Sequence, residues 1–440
     1  MDAIELVRMC QAAVPYAVEQ RRYFHRHPEP TSKEFETIKH ICDELDKMGI
    51  SYVNIPDGGI LAEINGKEAS EKETGGEKLP HVLLRADCDA LTMEENRENA
   101  NVPRICISEN QGVAHMCGHD GHMAMLLGAA KVLSQIKPEA VKGKIYLLFE
   151  RGEEGGNCIY YVMKYIQEQQ IRIDSCYALH VDPNIPVGKF WMEEGPSYAG
   201  NVNFEIGLTG KGGHGSRPDL SNNPLDCFVS IMNQLKDVRL KYISPKELIT
   251  YNIGSVQCGH KRNIVPEFLE FKGTARFYHT EAGKIFKEKL DAIIKTNAML
   301  YSCQPEYFVF SGPSLSLINN GDAAKLAREA AIELFGADCL VQRERDLGSE
   351  SFSTLAAYYP SIMARLGVRN EKKGMTAALH NPRFDLDEEA LQYGIASHVA
   401  YALKYLEVNP TIKFTPFNGN ADDVLKFTCR PVPKRYDNQG

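Results

Sequence analysis

Between residues 81 and 180 three apolar stretches alternate with helix-period stretches, and this alternation restricts the possible folds of the chain more than any other feature. His81-Val82-Leu83-Leu84-Arg85-Ala86-Asp87, Ile145-Tyr146-Leu147-Leu148-Phe149 and Ser175-Cys176-Tyr177-Ala178-Leu179-His180 read as strands, with helices predicted over 123–136 and about 156–169. Strands separated by helices indicate α/β architecture with a mainly parallel sheet. Ligands of such sheets gather beyond the carboxyl ends of the strands. Asp87, Glu153, Glu154 and His180 all fall at or just past an expected strand end.

The flanking patterns extend this framework. Residues 3–49 show helical spacing, interrupted at His25-Arg26-His27-Pro28-Glu29-Pro30, and Ile60–Ile64 is a short strand. The charged segment 66–79 reads as a solvated hairpin loop. Near residue 196 the pattern changes. Phe204, Ile206 and Leu208 alternate with polar residues, as in an antiparallel sheet with one solvated face. Helices at 224–239 and 281–299 and strands at 248–257, 267–278 and 306–310 complete an α+β unit. Since helix and strand patterns resume from 321, this unit is expected to be an insertion. The expected domains are a discontinuous catalytic one (1–195 and 310–440) and an inserted lid or dimerisation one (196–309), as suits 440 residues. The proline-containing tail after about 409 is expected to wrap the surface.

A net charge of −8 without a basic block argues against nucleic acid as a partner. The beginning Met1-Asp2-Ala3-Ile4-Glu5 does not read as a signal peptide, and no apolar run approaches the roughly 20 residues that span a bilayer. Twelve cysteines without a Cys-x-x-Cys pair are expected to be reduced, largely buried thiols, which points to the cytoplasm.

Cys117-Gly118-His119-Asp120-Gly121-His122 concentrates metal-binding side chains. A thiolate and an imidazole one residue apart can take neighbouring coordination positions, with Asp120 and His122 hydrogen-bonding behind them. Glu153 and Glu154 would ordinarily be solvated loop acids. Placed just after an apolar strand, one can bind metal while the other stays free as a general base. His180 and His380 would each alone be an ordinary core or turn histidine. Together Cys117, His119, Glu154, His180 and His380 suit zinc, manganese or cobalt, and suffice for two ions if one ligand bridges. A purely structural zinc site closes with four ligands, so five ligands plus a free base indicate hydrolysis. His214, within the glycine-rich 210–218, is exposed enough to reach a ligand or marks a flexible turn. Arg276 can clamp a carboxylate or lie on the surface. His25 and His27 are expected to cap or pack the N-terminal helices.

The segments RRYFHRHPEP (21–30), LLRADCDAL (83–91), HMCGHDGHMAMLLGAA (115–130), LLFERGEEGG (147–156), GKGGHGSRP (210–218), RNIVPE (262–267), LGSESFS (347–353) and LHNPRFDLDEEAL (379–391) resemble, in order, the dinuclear-metal aminoacylase and carboxypeptidase superfamily. The resemblance is to its amidohydrolase branch of hippurate, auxin-conjugate and N-acyl-amino-acid hydrolases, and it implies a zinc-exopeptidase-like catalytic domain. It implies two divalent ions (zinc, manganese, cobalt or nickel) on Cys117, His119, Glu154, His180 and His380, with Glu153 as base and proton shuttle and Asp87 near the metals. It also implies His214 as oxyanion stabiliser, Asn263 and, more weakly, Arg276 as substrate contacts, and a homodimer through the lid. The implied substrate is a small N-acyl or N-aroyl amino acid, or a dipeptide in the peptidases of the superfamily. Two departures stand out. Arg151-Gly152 replaces the usual proline-alanine pair, expected to loosen that loop or alter what it admits. Ser351 stands where the family commonly has an acid, removing a fixed charge.

Overall fold

The structure, a computed structural model, describes residues 3–66, 78–345 and 347–433; residues 67–77 of the expected hairpin loop lie outside these. In chain order the strands are β1 (Ser51–Ile55), β2 (Gly59–Asn65), β3 (His81–Asp87), β4 (Lys144–Glu150), β5 (Ser175–Pro186), β6 (Phe190–Trp191), β7 (Gly195–Tyr198) and β8 (Gly200–Thr209). They continue as β9 (Gly213–His214), β10 (Ile249–Cys258), β11 (Ile264–Val265), β12 (Phe268–Phe277), β13 (Gln304–Ser311), β14 (Leu317–Asn319) and β15 (Ser361–Arg369).

The seven-stranded sheet has the order β1-β2-β4-β3-β5-β15-β6. Its centre, β4-β3-β5-β15, is parallel, and antiparallel β2, β1 and β6 extend its edges. The central strands are apolar on both faces because helices cover both. On one side lie α1 (Ala3–Arg26), α2 (Phe35–Met48) and α3 (His119–Ser134). On the other lies α4 (Ile159–Glu168). Helix α3 is buried almost all round. Met125, Leu126 and Leu127 are inaccessible to solvent, each burial stabilising by about 1.5–3 kcal/mol.

The second sheet, β10-β12-β8-β13, is wholly antiparallel. Helices α5 (Pro224–Lys241) and α6 (Thr280–Leu300) cover one face of it. Phe204, Phe271, Ile231 and Leu290 form a core separate from that of the large sheet. The alternation read at 203–208 is this buried face of β8. Helices α7 (Gly321–Phe335), α8 (Ser353–Tyr358), α9 (Ala390–Val408) and α10 (Ala421–Thr428) follow, α7 and α9 on the α3 side of the large sheet and α8 and α10 on the α4 side. No helix among the described residues is long and apolar enough to cross a membrane. All twelve cysteines are free, and only Cys42, Cys258 and Cys429 are not buried.

Three boundaries differ from expectation in ways that matter. Helix α3 begins at His119, four residues early, because Gly118 (φ +89°) supplies the left-handed turn that starts it. A side chain at Gly118 would meet Val181 at 2.4 Å. His180 does not end its strand: β5 continues to Pro186 because β15 pairs alongside. Pairing with β3, however, stops at Ala178, and the parallel register leaves His180 level with Asp87 at the carboxyl end of β3. The tail does not only wrap the surface, since it forms α10 against α4.

Candidate active site

At the carboxyl ends of β3 and β4, and beside β5, three segments converge. Cys117 Sγ lies 3.6 Å from His180 Nε2 and 3.3 Å from His380 Nε2. Glu154 Oε1 lies 3.2 Å from His380 Nε2 and 3.9 Å from His119 Nε2. The five side chains expected as ligands thus meet. Cys117, His119 and His180 form one compact group, Cys117, Glu154 and His380 another, and Cys117 is shared.

The ring orientations follow from what the other nitrogens touch. His119 Nδ1 is 2.8 Å from the Asp89 carbonyl and His180 Nδ1 is 2.8 Å from that of Val181. Carbonyls only accept, so both Nδ1 atoms carry protons, which leaves the Nε2 atoms as the ones able to offer lone pairs to a cation in the cluster. Burial, with His122 and Arg365 nearby, holds the His180 pKa well below its usual value and keeps the ring neutral. His122 accepts from the Val181 N–H at Nε2 (3.0 Å) and donates through Nδ1 to Asp87 (2.6 Å). Asp87 in turn accepts from Arg85 at 2.8 Å. Asp120 does not stand behind the cluster as expected. It binds Arg21 (2.9 Å) and His25 (2.8 Å) and fastens α1 to α3, so His25 packs, while His27 is half-buried.

Asp89 is a site residue that the sequence reading did not single out. Its carboxylate accepts from the backbone N–H groups of Glu153 (3.1 Å) and Glu154 (2.9 Å), while its carbonyl fixes His119. Its place two residues past Asp87, beyond the end of β3, was the available signal. Glu153 Oε1 accepts from the Ser351 N–H at 3.0 Å. Burial, reinforced by Glu350 and Glu154, raises the Glu153 pKa well above the usual carboxylate range.

Both departures are compensated. Arg151 is buried, and its guanidinium binds Glu34 (2.9 Å) and the Ser32 carbonyl (2.8 Å) and stacks on Phe35 (4.9 Å). Glu34 also accepts from the Gly152 N–H at 2.9 Å. The loop is tied down, contrary to the expectation of loosening. Ser351 Oγ donates to Glu150 (2.5 Å), and Arg85 bridges Glu150 (2.7 Å), Ser351 (2.9 Å) and Asp87. A carboxylate absent at 351 is therefore present beside it, from the end of β4. Burial pushes the Glu150 pKa up to about 7.

Two atoms test whether a cation fits. His119 Nε2 and Glu154 Oε1 are buried without a hydrogen-bond partner, a costly arrangement unless something binds them. Both face the same thiol, imidazole and carboxylate donors, a mixed set suited to divalent transition metals. Burial pushes the Cys117 thiol well above its usual range, so a bound cation is what would make it a thiolate. The residues fit a metal centre.

The cluster opens into a cavity of about 680 Å³, lined by Glu153, Glu154, His380, Asn201, Arg276 and Arg430 among others. Arg276, at the end of β12, donates to Ser349 Oγ at 2.6 Å. His214 and Asn263 are brought to each other and not to this cavity. They lie in the β9–β11 loop pair, exposed, with the Gly215 N–H on the Asn263 carbonyl (2.9 Å) and Ser216 Oγ 2.7 Å from His214 Nδ1.

A mixed, largely parallel sheet holding a five-donor cluster with a separate carboxylate beside it defines a hydrolase of the metallopeptidase type. The sequence model of peptidase family M20/M25/M40 matches residues 83–404, and the chain belongs to this family. It is 30% identical to thermostable carboxypeptidase 1 of Saccharolobus solfataricus, over 92% of this chain and 99% of that one. It is 32% identical to N-acetylcysteine deacetylase of Bacillus subtilis, over 85% and 92%. Its fold matches the crystal structure of a Bacillus subtilis dinuclear metal binding peptidase from the M20 family with a TM-score of 0.73 and 28% identity, covering 90% of this chain and 99% of that one.

Proposed function

We propose that this hydrolase cleaves the amide bond of N-acyl or N-aroyl amino acids. The observation that carries the reading is the pairing of Glu153 and Glu154. Glu154 turns a buried, unpartnered oxygen into the donor cluster, while Glu153, close enough to His119 and Glu154 to share their group, has its Oε1 engaged by the Ser351 N–H. Cys117, His119, Glu154, His180 and His380 would hold two divalent cations, of which zinc, manganese, cobalt and nickel all suit the donors. When bound, such ions acidify water and polarise the scissile carbonyl. Glu153 takes the proton from the attacking water and returns it to the leaving amine. The Ser351 N–H holds Glu153 in place, and Asp89 holds the loop that carries it. Asp87 fixes His122 and through it the backbone of β5. Arg276 receives the substrate carboxylate. His214, with Asn263, reaches the developing oxyanion when the lid sheet closes on the cavity.

Exposed Leu225 and Val229 on α5 and Val256 on the edge strand β10 support association of two copies through this unit, which size-exclusion chromatography checks. Twelve free thiols suit a reducing compartment such as the cytoplasm. The carboxypeptidase name of one relative keeps a second reading in view, with the same chemistry on unblocked peptides. Metal analysis with turnover assays on N-acyl amino acids and unblocked dipeptides decides. Release of free amino acid from the N-acyl series is expected, and cleavage of dipeptides alone would overturn the proposal.

A further inference from the structure

The C-terminal segment beyond α9 lies outside the region that the family model matches, yet it builds a wall of the candidate active site. Helix α10 is N-capped by Asn420 in a reciprocal capping box with Asp423, and it buries Val424 and Leu425. Tyr160 donates to Asp422 (2.7 Å), and the Ala421 N–H donates to Gln167 (2.9 Å), so α4 fixes α10. The Thr428 carbonyl accepts from the Gly312 N–H (2.8 Å) just after β13. Cys429 then takes a left-handed conformation (φ 51°) that ends the helix, and the Arg430 N–H closes onto the Leu425 carbonyl (3.0 Å).

This turn delivers Arg430 to the cavity. Its guanidinium is 3.4 Å from Asn157 Oδ1, three residues past Glu154 on the loop that carries the paired glutamates. Arg276 reaches the same cavity from the lid sheet, beside Ser349. Among the described residues no carboxylate pairs with either guanidinium, and burial lowers the pKa of both. Two partly desolvated cations without counter-charges, in a cavity that opens onto the donor cluster, are an incomplete arrangement, because burying unpaired charge is costly. The one carboxylate of a simple N-acyl amino acid supplies a single counter-charge for these two cations.

We propose that Arg430 is a specificity-determining residue, and that the preferred substrate is an N-acyl amino acid with two carboxylates, one on Arg276 and one on Arg430. This rests on the amide-hydrolysis reading. The second carboxylate can sit on the amino-acid side chain or on the acyl chain, and the same guanidinium chemistry receives either.

The test uses the full-length, metal-loaded enzyme and compares kcat/KM within isosteric pairs. N-acetylglutamate against N-acetylglutamine probes the side-chain position, and N-succinylalanine against its succinamoyl counterpart probes the acyl position. In one pair the dianion should be preferred by about tenfold or more, the scale of a charge-assisted hydrogen bond. Arg430→Gln should bring that ratio close to one, and Arg430→Lys should leave it in between. A wild-type ratio near one in both pairs, or a ratio that survives Arg430→Gln, overturns the proposal. The wild-type ratio decides even if a variant does not fold. If no N-acyl amino acid is cleaved, the amide-hydrolysis reading fails by itself. Calorimetric binding of glutarate against its monoamide should then still show an Arg430-dependent preference, and equal binding would overturn the role of Arg430.

Discussion

At the carboxyl ends of the central strands Cys117, His119 and His180 are buried, and both imidazoles are fixed by a second hydrogen bond. In the separate two-stranded β9–β11 sheet His214 is exposed, and its Nδ1 meets a local partner, Ser216. The first region is preorganised by burial; its groups hold their geometry before any substrate arrives. The second lies on a glycine-rich loop, where a histidine can move to meet a ligand but has no fixed aim. Position is thus set by the core in one case and by a local turn in the other, and the proposed role of His214 requires that turn to approach the cavity.

The sharpest way to break this contrast is at Glu153. Glu153→Ala should keep its metal, measured by elemental analysis, and lose about 10⁴-fold in kcat, the upper range for a general base. Retained turnover would remove the base assignment. Cys117→Ser should instead lose metal affinity and activity together, and full activity with normal metal content would sink its role as a shared ligand.

His214→Ala should leave metal content intact and lower kcat by about 10²-fold, as for an oxyanion donor. An unchanged kcat would mean that the exposed loop does not reach the reaction. Arg151→Met tests the rigid side of the comparison by stranding buried Glu34, at a cost of about 3 kcal/mol in denaturant unfolding. Burial and then Asp89 already hold Glu34 raised to about 7. A carboxyl with a raised folded pKa stabilises when protonated and loses that contribution as pH rises through the folded value. The Arg151→Met defect should therefore be larger at pH 8 than at pH 6, and the reverse order would contradict the burial of Glu34.

Near neutral pH the smallest effect concerns His398, packed against Tyr177 at a ring distance of 5.3 Å, its pKa lowered by burial to about 3. A histidine with a depressed folded pKa keeps its contribution above its unfolded value near 6.5 and loses it as pH falls towards 3. Stability should fall by about 1.4 kcal/mol per pH unit for this group below 6.5. Unfolding curves of His398→Leu against pH should show that slope reduced.

Much of the sheet was legible because apolar strands between helices leave few alternatives, and the donors were legible because cysteine, histidine and paired acids just past strand ends have few structural uses. Boundaries were less so: His119 joined α3 through the conformation of Gly118, and β5 outran His180 because of its neighbour β15. Asp89 and Glu150 went unmarked because an acid gives no sign in sequence of which backbone N–H or hydroxyl it will meet.

The sequence alone determined the layered α/β plan, the antiparallel pattern after residue 196 and which five residues were candidates for one cluster, since each depends on residue type and local period. The tertiary structure decided which side chains face one another. Arg151 found Glu34 across 117 positions, Glu150 met Ser351 across 201, and Arg430 came back from the tail to the loop of Glu154. Such pairings depend on packing between distant elements, and local pattern carries no information about distances that only the closed core fixes.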